Sequence, residues 1–542
     1  MKVVVDLTRC QGYAQCAFAA PDVFEMRGDE ALLYDPTPDD AQRAKIARAA
    51  AACPVQAIAF DPPSQANVPQ PRQPSVAPAH VPVAGPEEAS KRTGSIVIVG
   101  ASLAGLRAGL VLRRTGFTGS LTVIGDEPYR PYDRPPLSKQ VLIGQASARA
   151  SALPRRDELD ALWRLGVAAT GVDLGSKQVL LANGERVGFD RLLIATGARA
   201  RPWPNEAEAG LDGVYVLRSP NDADGLRRRL AASPSRALVI GAGFTGSEVA
   251  SACRELDVPV TVVEQGPAPL VGSLGAVIGG VAAQIQRDHG VDLRCGVGVE
   301  ALEGDPGGRL RRARLSDGST LDVDVAVAAL GSIRNVEWLE GSGLAAGDWG
   351  VACDAGCRAV DVNGVVTDDV FVAGDIARFP HPLYDYQYLA LEHWGNAVAQ
   401  AEIAAHNMIS AQSERWPHLA LPEFWSTQFG TEIKSVGVPT YADHVVIAQG
   451  SVPDYRFVAA YGYRGRITAA VAFNQSKWLD FYEGLIDRAA PFPPSFRTVD
   501  QPTEGGPVPA QVPDRPTHQA TVVVTGHGPS ERRATFVRRT YL

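Results

Sequence analysis

Leu238-Val239-Ile240-Gly241-Ala242-Gly243-Phe244-Thr245-Gly246-Ser247-Glu248 runs from an apolar stretch into three glycines spaced G-x-G-x-x-G. That spacing predicts a buried β-strand, a tight turn and a helix whose N-terminus faces the turn. The glycines let a pyrophosphate approach the main-chain N–H groups at the helix start, where the dipole favours an anion. The next apolar run, residues 260–263, ends at Glu264. A carboxylate there can accept both ribose hydroxyls of NADH and repels the 2′-phosphate of NADPH. The stretch that follows, Gln265-Gly266-Pro267-Ala268-Pro269-Leu270-Val271-Gly272, has no Arg or Lys to receive that phosphate. The unit reads as NADH-binding, through Gly241, Gly243, Phe244, Thr245, Gly246, Glu248 and Glu264.

The same pattern occurs earlier. Ile96-Val97-Ile98-Val99-Gly100-Ala101-Ser102-Leu103-Ala104-Gly105 is again strand, turn and helix start, with Ser102 in place of the middle glycine. Its next strand, residues 121–125, leads to Asp126-Glu127, where a carboxylate can accept an adenosine ribose. Gly100, Ser102, Leu103, Ala104, Gly105, Asp126 and Glu127 are therefore the candidates for a second dinucleotide. Residues 95–415 alternate strand-like and helix-like stretches, which predicts α/β architecture with two Rossmann-like units. The expected first unit takes residues 95–211 and 322–415, and the second takes 212–321. Residues 416–500 are richer in aromatics and read as an α+β C-terminal domain with antiparallel strands. Residues 501–542 are Pro-rich and then basic, and read as a disordered extension.

Length and charge narrow the classes. At 542 residues the chain needs several domains, and a formal net charge of -8 argues against a nucleic-acid partner. No window approaches 18 uninterrupted apolar residues, so no membrane span is expected. The start has no signal-peptide pattern, which predicts a cytoplasmic protein. Monomer and dimer both remain open. Seven cysteines with uneven spacing point to ligands or buried apolar residues rather than disulfides in a reducing compartment.

Residues 1–62 form the remaining compact unit, a small α+β domain joined by a Pro-rich linker, 63–94. Cys10-Gln11-Gly12-Tyr13-Ala14-Gln15-Cys16 and Cys53-Pro54 supply three cysteines from two loops. Iron–sulfur clusters need thiolates converging in this way, with a Cys-Pro completing the set. Tyr13 stands where a further thiolate is usual. Three thiolates, Cys10, Cys16 and Cys53, suit a 3Fe–4S cluster, while a 4Fe–4S form with another ligand stays open. Residues 21–25 and 36–52 read as helices, and 3–6 with 57–60 as a terminal strand pair. Asp22, Glu25, Asp29, Glu30, Asp35, Asp39 and Asp40, against Arg27, make the unit acidic. That is either a solvated face or a docking surface for a basic patch.

Residues 1–62 resemble single-cluster bacterial ferredoxins. One subgroup of that family replaces the second cysteine and serves haem-thiolate monooxygenases. Residues 95–500 resemble the FAD-containing NADH-dependent ferredoxin, rubredoxin and putidaredoxin reductases. The segment Arg130-Pro131-Tyr132-Asp133-Arg134-Pro135-Pro136-Leu137-Ser138-Lys139 carries that likeness, with Ile194-Ala195-Thr196-Gly197 and Phe371-Val372-Ala373-Gly374-Asp375 following in the family's order. The resemblance implies that Arg134, Lys139, Ala195, Thr196, Gly197 and Asp375 bind FAD. It also implies that Lys139 and Glu248 meet near the nicotinamide as the catalytic pair. Glu392-His393-Trp394 and Phe424-Trp425-Ser426-Thr427-Gln428 resemble segments lining the flavin, which adds Trp394 and Trp425; an acidic residue is usual where Thr427 stands.

A hydride carries two electrons and a cluster takes one, and flavin converts between them. The expected function is therefore ferredoxin–NAD(+) reductase, from NADH through FAD to the fused cluster. The terminal oxygenase implied by the resemblance is a cytochrome P450, with a Rieske oxygenase second. Two other classes compete. An NADH-dependent disulfide or peroxide reductase needs a cysteine facing the flavin, and none lies between Cys53 and Cys253. A non-catalytic NADH-sensing flavoprotein has no use for a one-electron carrier. Cys353 and Cys357 read as a surface hairpin, and with Cys253 and Cys295 as structural.

Overall fold

The computed structural model describes residues 3–5, 20, 22–27, 31–52, 58–60, 92–148, 153, 159–495, 505–513, 520–525 and 533–538. Cys10, Tyr13, Cys16, Cys53 and nearly all of the 63–94 linker lie outside the described residues. The chain divides into two compact units, residues 1–84 with 154–158, and residues 85–153 with 159–542.

In the first unit Val3–Val5 pairs antiparallel with Ile58–Phe60, as expected of the terminal segments. Of the expected helix at 21–25, Asp22 and Val23 instead form a turn and Phe24 and Glu25 open a strand. Phe24–Arg27 pairs with Ala31–Tyr34, and the Val23 and Phe24 N–H groups both donate to the Ala20 carbonyl. Five residues give barely one helical turn, too short to offset nucleation, whereas a hairpin supplies a full ladder. The second helix begins later than residue 36. Asp39 caps a 3-10 turn at Asp40–Gln42, and the α-helix is Arg43–Ala52. Pro36 and Pro38 bias the residues before them away from helical geometry, which moves the start past both. Val3, Val5, Val23, Phe24, Ile46, Ala49 and Ile58 form the core. Asp22 pairs with Lys45 at 2.6 Å and Asp40 with Arg43 at 3.0 Å, so part of the acidic face carries its own counter-charges.

The second unit holds two parallel sheets. In the first, Val366–Val372, Arg191–Ile194, Ser95–Val99, Ser120–Gly125 and Leu162–Leu165 lie side by side in parallel, with Arg358–Val360 antiparallel at the edge. Continuous apolar runs such as Ser95–Val99 are what a sheet covered on both faces requires. Helices Leu103–Arg114 and Trp394–Ile409 share one apolar cluster against this sheet. In the second, the order is Val214–Tyr215, Val325–Ala328, Ala237–Ile240, Val260–Glu264 and Asp292–Cys295. Val325–Ala328 belongs to this sheet, which corrects the expected boundary at 322. Its fully buried run fills the place beside Ala237–Ile240, a pairing that local pattern does not show.

The C-terminal sheet is antiparallel: Glu423–Gln428, Thr431–Gly437, Arg466–Phe473, Arg456–Tyr463, His444–Ser451 and Val508–Pro509. The last strand corrects the reading of the tail as disordered throughout. Pro509 sits on a sheet edge, where a missing donor is tolerated. Ala510 is buried, and its N–H reaches the Asp443 carbonyl. Ala276 N–H then donates to Gln511 O at 2.9 Å. This strap lies over a kink at Gly275 in helix Val271–Asp288, where φ is 75° and a Cβ would fall 2.4 Å from Ala510 O. Farther on, Ala520–Thr525 pairs with Arg533–Arg538. Among the described residues, no helix is long and apolar enough to cross a membrane.

Candidate functional site

Glycine placement shows what each fingerprint is for. After Ser95–Val99 the chain turns at Gly100 with φ 127°, where a Cβ would lie 2.0 Å from Ala195 O. A Cβ on Gly105 would lie 2.0 Å from Gly100 O, so strand, turn and helix can close only with both glycines. Ser102 is different. It is extended (φ -129°, ψ -156°) as N-cap of Leu103–Arg114, and its side chain makes no cap bond. The matching Gly243 has φ -69° and ψ -171°, with nothing within 4 Å of a Cβ. This position accepts a side chain, and a hydroxyl there suits an approaching phosphate. Gly241 (φ 99°) and Gly246 repeat the packing, with Cβ positions 2.5 Å from Ala329 O and 2.0 Å from Gly241 O.

The fingerprint turn of the first sheet opens on a cavity of about 360 Å³. Of the residues expected to bind FAD, all but Gly105 line it: Gly100, Ser102, Leu103, Ala104, Asp126, Glu127, Arg134, Lys139, Ala195, Thr196, Gly197, Asp375, Trp394 and Trp425. Phe244, Thr245 and Glu248, from the second fingerprint, line the same cavity. Gly105, Gly241, Gly243, Gly246 and Glu264 do not. Gly105, Gly241 and Gly246 act on backbone packing, and Glu264 stands at the tip of its own strand. There its Oε2 accepts Ala242 N–H and its Oε1 accepts Gly266 N–H, each at 2.7 Å. The two bonds fix the carboxylate plane, and each oxygen retains a second lone pair for a ribose hydroxyl.

Charges in the cavity come in pairs. Glu127 accepts Arg134 Nη2 at 3.1 Å and the Tyr132 hydroxyl at 2.7 Å, while Arg134 Nη1 donates to Arg218 O. Arg218 Nη2 reaches Asp375 Oδ2 at 3.2 Å. Trp394 Nε1 donates to Asp133 Oδ1 at 3.0 Å, and burial raises the Asp133 carboxyl above its ordinary range against the pull of that bond. Trp394 and Trp425 meet edge to face at 5.9 Å, and Phe244 packs on Phe424 at 4.8 Å. Two buried polar atoms of lining residues, Arg218 Nε and His393 Nδ1, find no partner among the described residues. Burial holds the His393 imidazole down at about 4, hence neutral. The glycine cradle, the two unpartnered nitrogens and the aromatic wall fit a flavin dinucleotide.

Lys139 Nζ and Glu248 Oε1 meet at 2.8 Å. Glu248 is 7 % exposed rather than an ordinary surface residue one turn into a helix. It also accepts Ser138 Oγ at 2.5 Å and Ser426 Oγ at 2.6 Å. The two serines, Arg218 and His393 were absent from the expected site. Three of them stand beside residues that were chosen, Ser138 before Lys139, His393 before Trp394 and Ser426 after Trp425; nothing local marks Arg218. The Cys353 and Cys357 segment is corrected: both thiols are buried, bonded to the carbonyls of Arg378 and Gln400, and pushed up by burial. Cys253 is buried on its helix, its thiol pushed up to about 12.

Comparison with known proteins agrees with this geometry. Residues 94–401 match the pyridine nucleotide-disulphide oxidoreductase model, 3–60 the 4Fe-4S single cluster domain and 423–502 the reductase C-terminal domain. The chain is 34% identical over 362 residues to rhodocoxin reductase of Rhodococcus erythropolis, covering 66% of this chain and 81% of that protein. It is 36% identical over 344 residues to the ferredoxin–NAD(+) reductase component of the p-cumate 2,3-dioxygenase system of Pseudomonas putida, covering 63% and 81%. Its fold matches the reductase in the covalent putidaredoxin reductase–putidaredoxin complex with a TM-score of 0.68 and 28% identity, over 73% of this chain and 94% of that one.

Proposed function

Because the chain belongs to the pyridine nucleotide-disulphide oxidoreductases, among the NADH-dependent ferredoxin reductases, we propose that it passes electrons from NADH through FAD to its own N-terminal iron–sulfur unit and on to a terminal oxygenase. Bound FAD supplies a centre that takes up a hydride and gives electrons away singly. The chain's residues bind and aim. The observation that carries the reading is the contact of Lys139 with Glu248, one from each nucleotide-binding half, in a cavity that both halves line. Such a pair can orient a nicotinamide against the flavin and hold a proton on the lysine ammonium. Phe244, Phe424, Trp394 and Trp425 give the same cavity its aromatic wall. Glu264, held by two main-chain donors, takes the NADH ribose and rejects a 2′-phosphate.

Cys10, Cys16 and Cys53 hold the cluster, as 3Fe–4S, with Tyr13 in the place of a further thiolate. The acceptor is a haem-thiolate monooxygenase of the cytochrome P450 type, since the ferredoxins that replace this cysteine serve such enzymes. A Rieske oxygenase is the second reading, favoured by the relative from a dioxygenase system. Removing residues 1–94 tests the route. The truncated chain should reduce ferricyanide with NADH as the full chain does, yet lose turnover coupled to either oxygenase. Adding residues 1–62 in trans at high concentration should restore it. Coupled turnover that survives the truncation, or equal efficiency with NADPH, would overturn the proposal.

A further inference from the structure

Ser426 belongs to the C-terminal sheet, outside both nucleotide-binding halves, yet its hydroxyl lies 2.6 Å from Glu248 Oε1. Along Glu423–Gln428 the residues alternate in exposure, and Phe424, Ser426 and Gln428 share the buried face. Gln428 Nε2 donates to Ser426 Oγ at 2.9 Å. An amide nitrogen only donates, so the serine oxygen is the acceptor there and its single proton is directed to Glu248. On the other side Ser138 Oγ lies 2.5 Å from Glu248 Oε2, with only a long 3.4 Å alternative at Pro135 O. Two hydroxyls from different domains thus fix the carboxylate's plane.

The fixed carboxylate in turn fixes the lysine. Lys139 Nζ carries three donors. One goes to Glu248 and one to Pro135 O at 3.3 Å, and the third has no partner among the described residues of a cavity-lining side chain. The direction of that third N–H depends on where Glu248 Oε1 stands.

We infer that Ser426, aimed by Gln428, is a positioning residue for hydride transfer, through which the C-terminal sheet sets the Lys139–Glu248 pair. The inference rests on the reading that this pair aligns the nicotinamide. Thr427 points to solvent on the opposite face, so the loss of the acidic residue usual at that place leaves this contact untouched.

The test uses full-length, FAD-loaded protein and stopped-flow reduction by NADH. Ser426→Ala should lower the limiting rate of flavin reduction about tenfold while the NADH dissociation constant changes less than about twofold, the signature of lost alignment rather than lost binding. Ser426→Thr should recover to within about threefold of wild type, because it keeps the hydroxyl. The perturbation of the oxidised flavin spectrum by NAD+, which involves no turnover, should change with Ala and return with Thr. If Ser426→Ala does not retain FAD, Gln428→Leu serves instead, freeing the hydroxyl's direction without removing it, with an expected loss of about threefold. Glu248→Gln is the reference: a wild-type rate there would overturn the reading of the pair. A slow Glu248→Gln beside a wild-type rate in Ser426→Ala and Gln428→Leu would overturn the role of Ser426 alone.

Discussion

The two glycine fingerprints differ at one of their three glycine positions, and the difference separates glycines that the backbone requires from one that it does not. Gly100 and Gly105 in one, and Gly241 and Gly246 in the other, have neighbours that leave no room for a Cβ. The middle position has room in both, and one fingerprint fills it with Ser102 while the other keeps Gly243. An imperfect motif can thus keep the whole backbone geometry of a complete one. What matters is which glycine is missing.

The largest effect should come from placing a methyl where the backbone closes. Gly105→Ala and Gly246→Ala should each cost on the order of 3 kcal/mol or more locally, but with different outcomes. The first should yield protein without stoichiometric FAD; the second should keep FAD, read from its visible absorbance, and lose flavin reduction by NADH. Identical phenotypes would break the division of labour between the fingerprints.

A pH effect distinguishes the halves next. His418 is 1% exposed, bonded through Nε2 to Asn396 on the helix that packs beside the first fingerprint helix, and its imidazole is lowered to about 4 by burial and by neighbouring His381. The folded chain keeps it neutral while the unfolded chain protonates it near 6.5, so its contribution is intact above that pH and declines down to about 4. Between pH 7 and 5, stability of the FAD-side half should fall by about 2 kcal/mol on this account. His418→Gln should reduce that slope in urea unfolding followed by flavin release, leaving the share that buried His393 contributes. An unchanged slope would remove His418 from the explanation.

The smallest effects test the open position itself. Ser102→Gly should cost about 0.5–1 kcal/mol through backbone freedom and loosen FAD a few-fold. Gly243→Ser should leave stability unchanged and raise the NADH KM by roughly the few-fold that one misplaced polar contact costs. A loss of folding in Gly243→Ser would show that the position is less open than its surroundings indicate.

Much of this was legible because the motifs dictate their own local geometry: apolar run, glycine turn, helix start, with Glu264 at the next strand's tip. What the sequence did not disclose depends on partners distant along the chain. Ser138, Glu248 and Ser426 meet only when three domains are assembled. Val325–Ala328 reads as a strand, but which sheet receives it depends on a pairing with Ala237–Ile240. Residues 21–25 carry no local mark of the hairpin, because the ladder that Phe24–Arg27 joins is completed by Ala31–Tyr34. A Pro-rich tail gives no sign of the edge strand at Val508–Pro509, since the sheet it joins is built elsewhere.

That edge strand bears on the order in which the molecule can be completed as it is made. Translation delivers the second glycine fingerprint well before the segment that covers the bend in helix Val271–Asp288. Until Ala510 arrives, Gly275 has no chain to fit against, and Ala276 N–H lacks its acceptor at Gln511. The half that carries the second fingerprint is therefore sealed by residues more than two hundred positions downstream of it, made long after the small N-terminal unit has had its chance to fold alone.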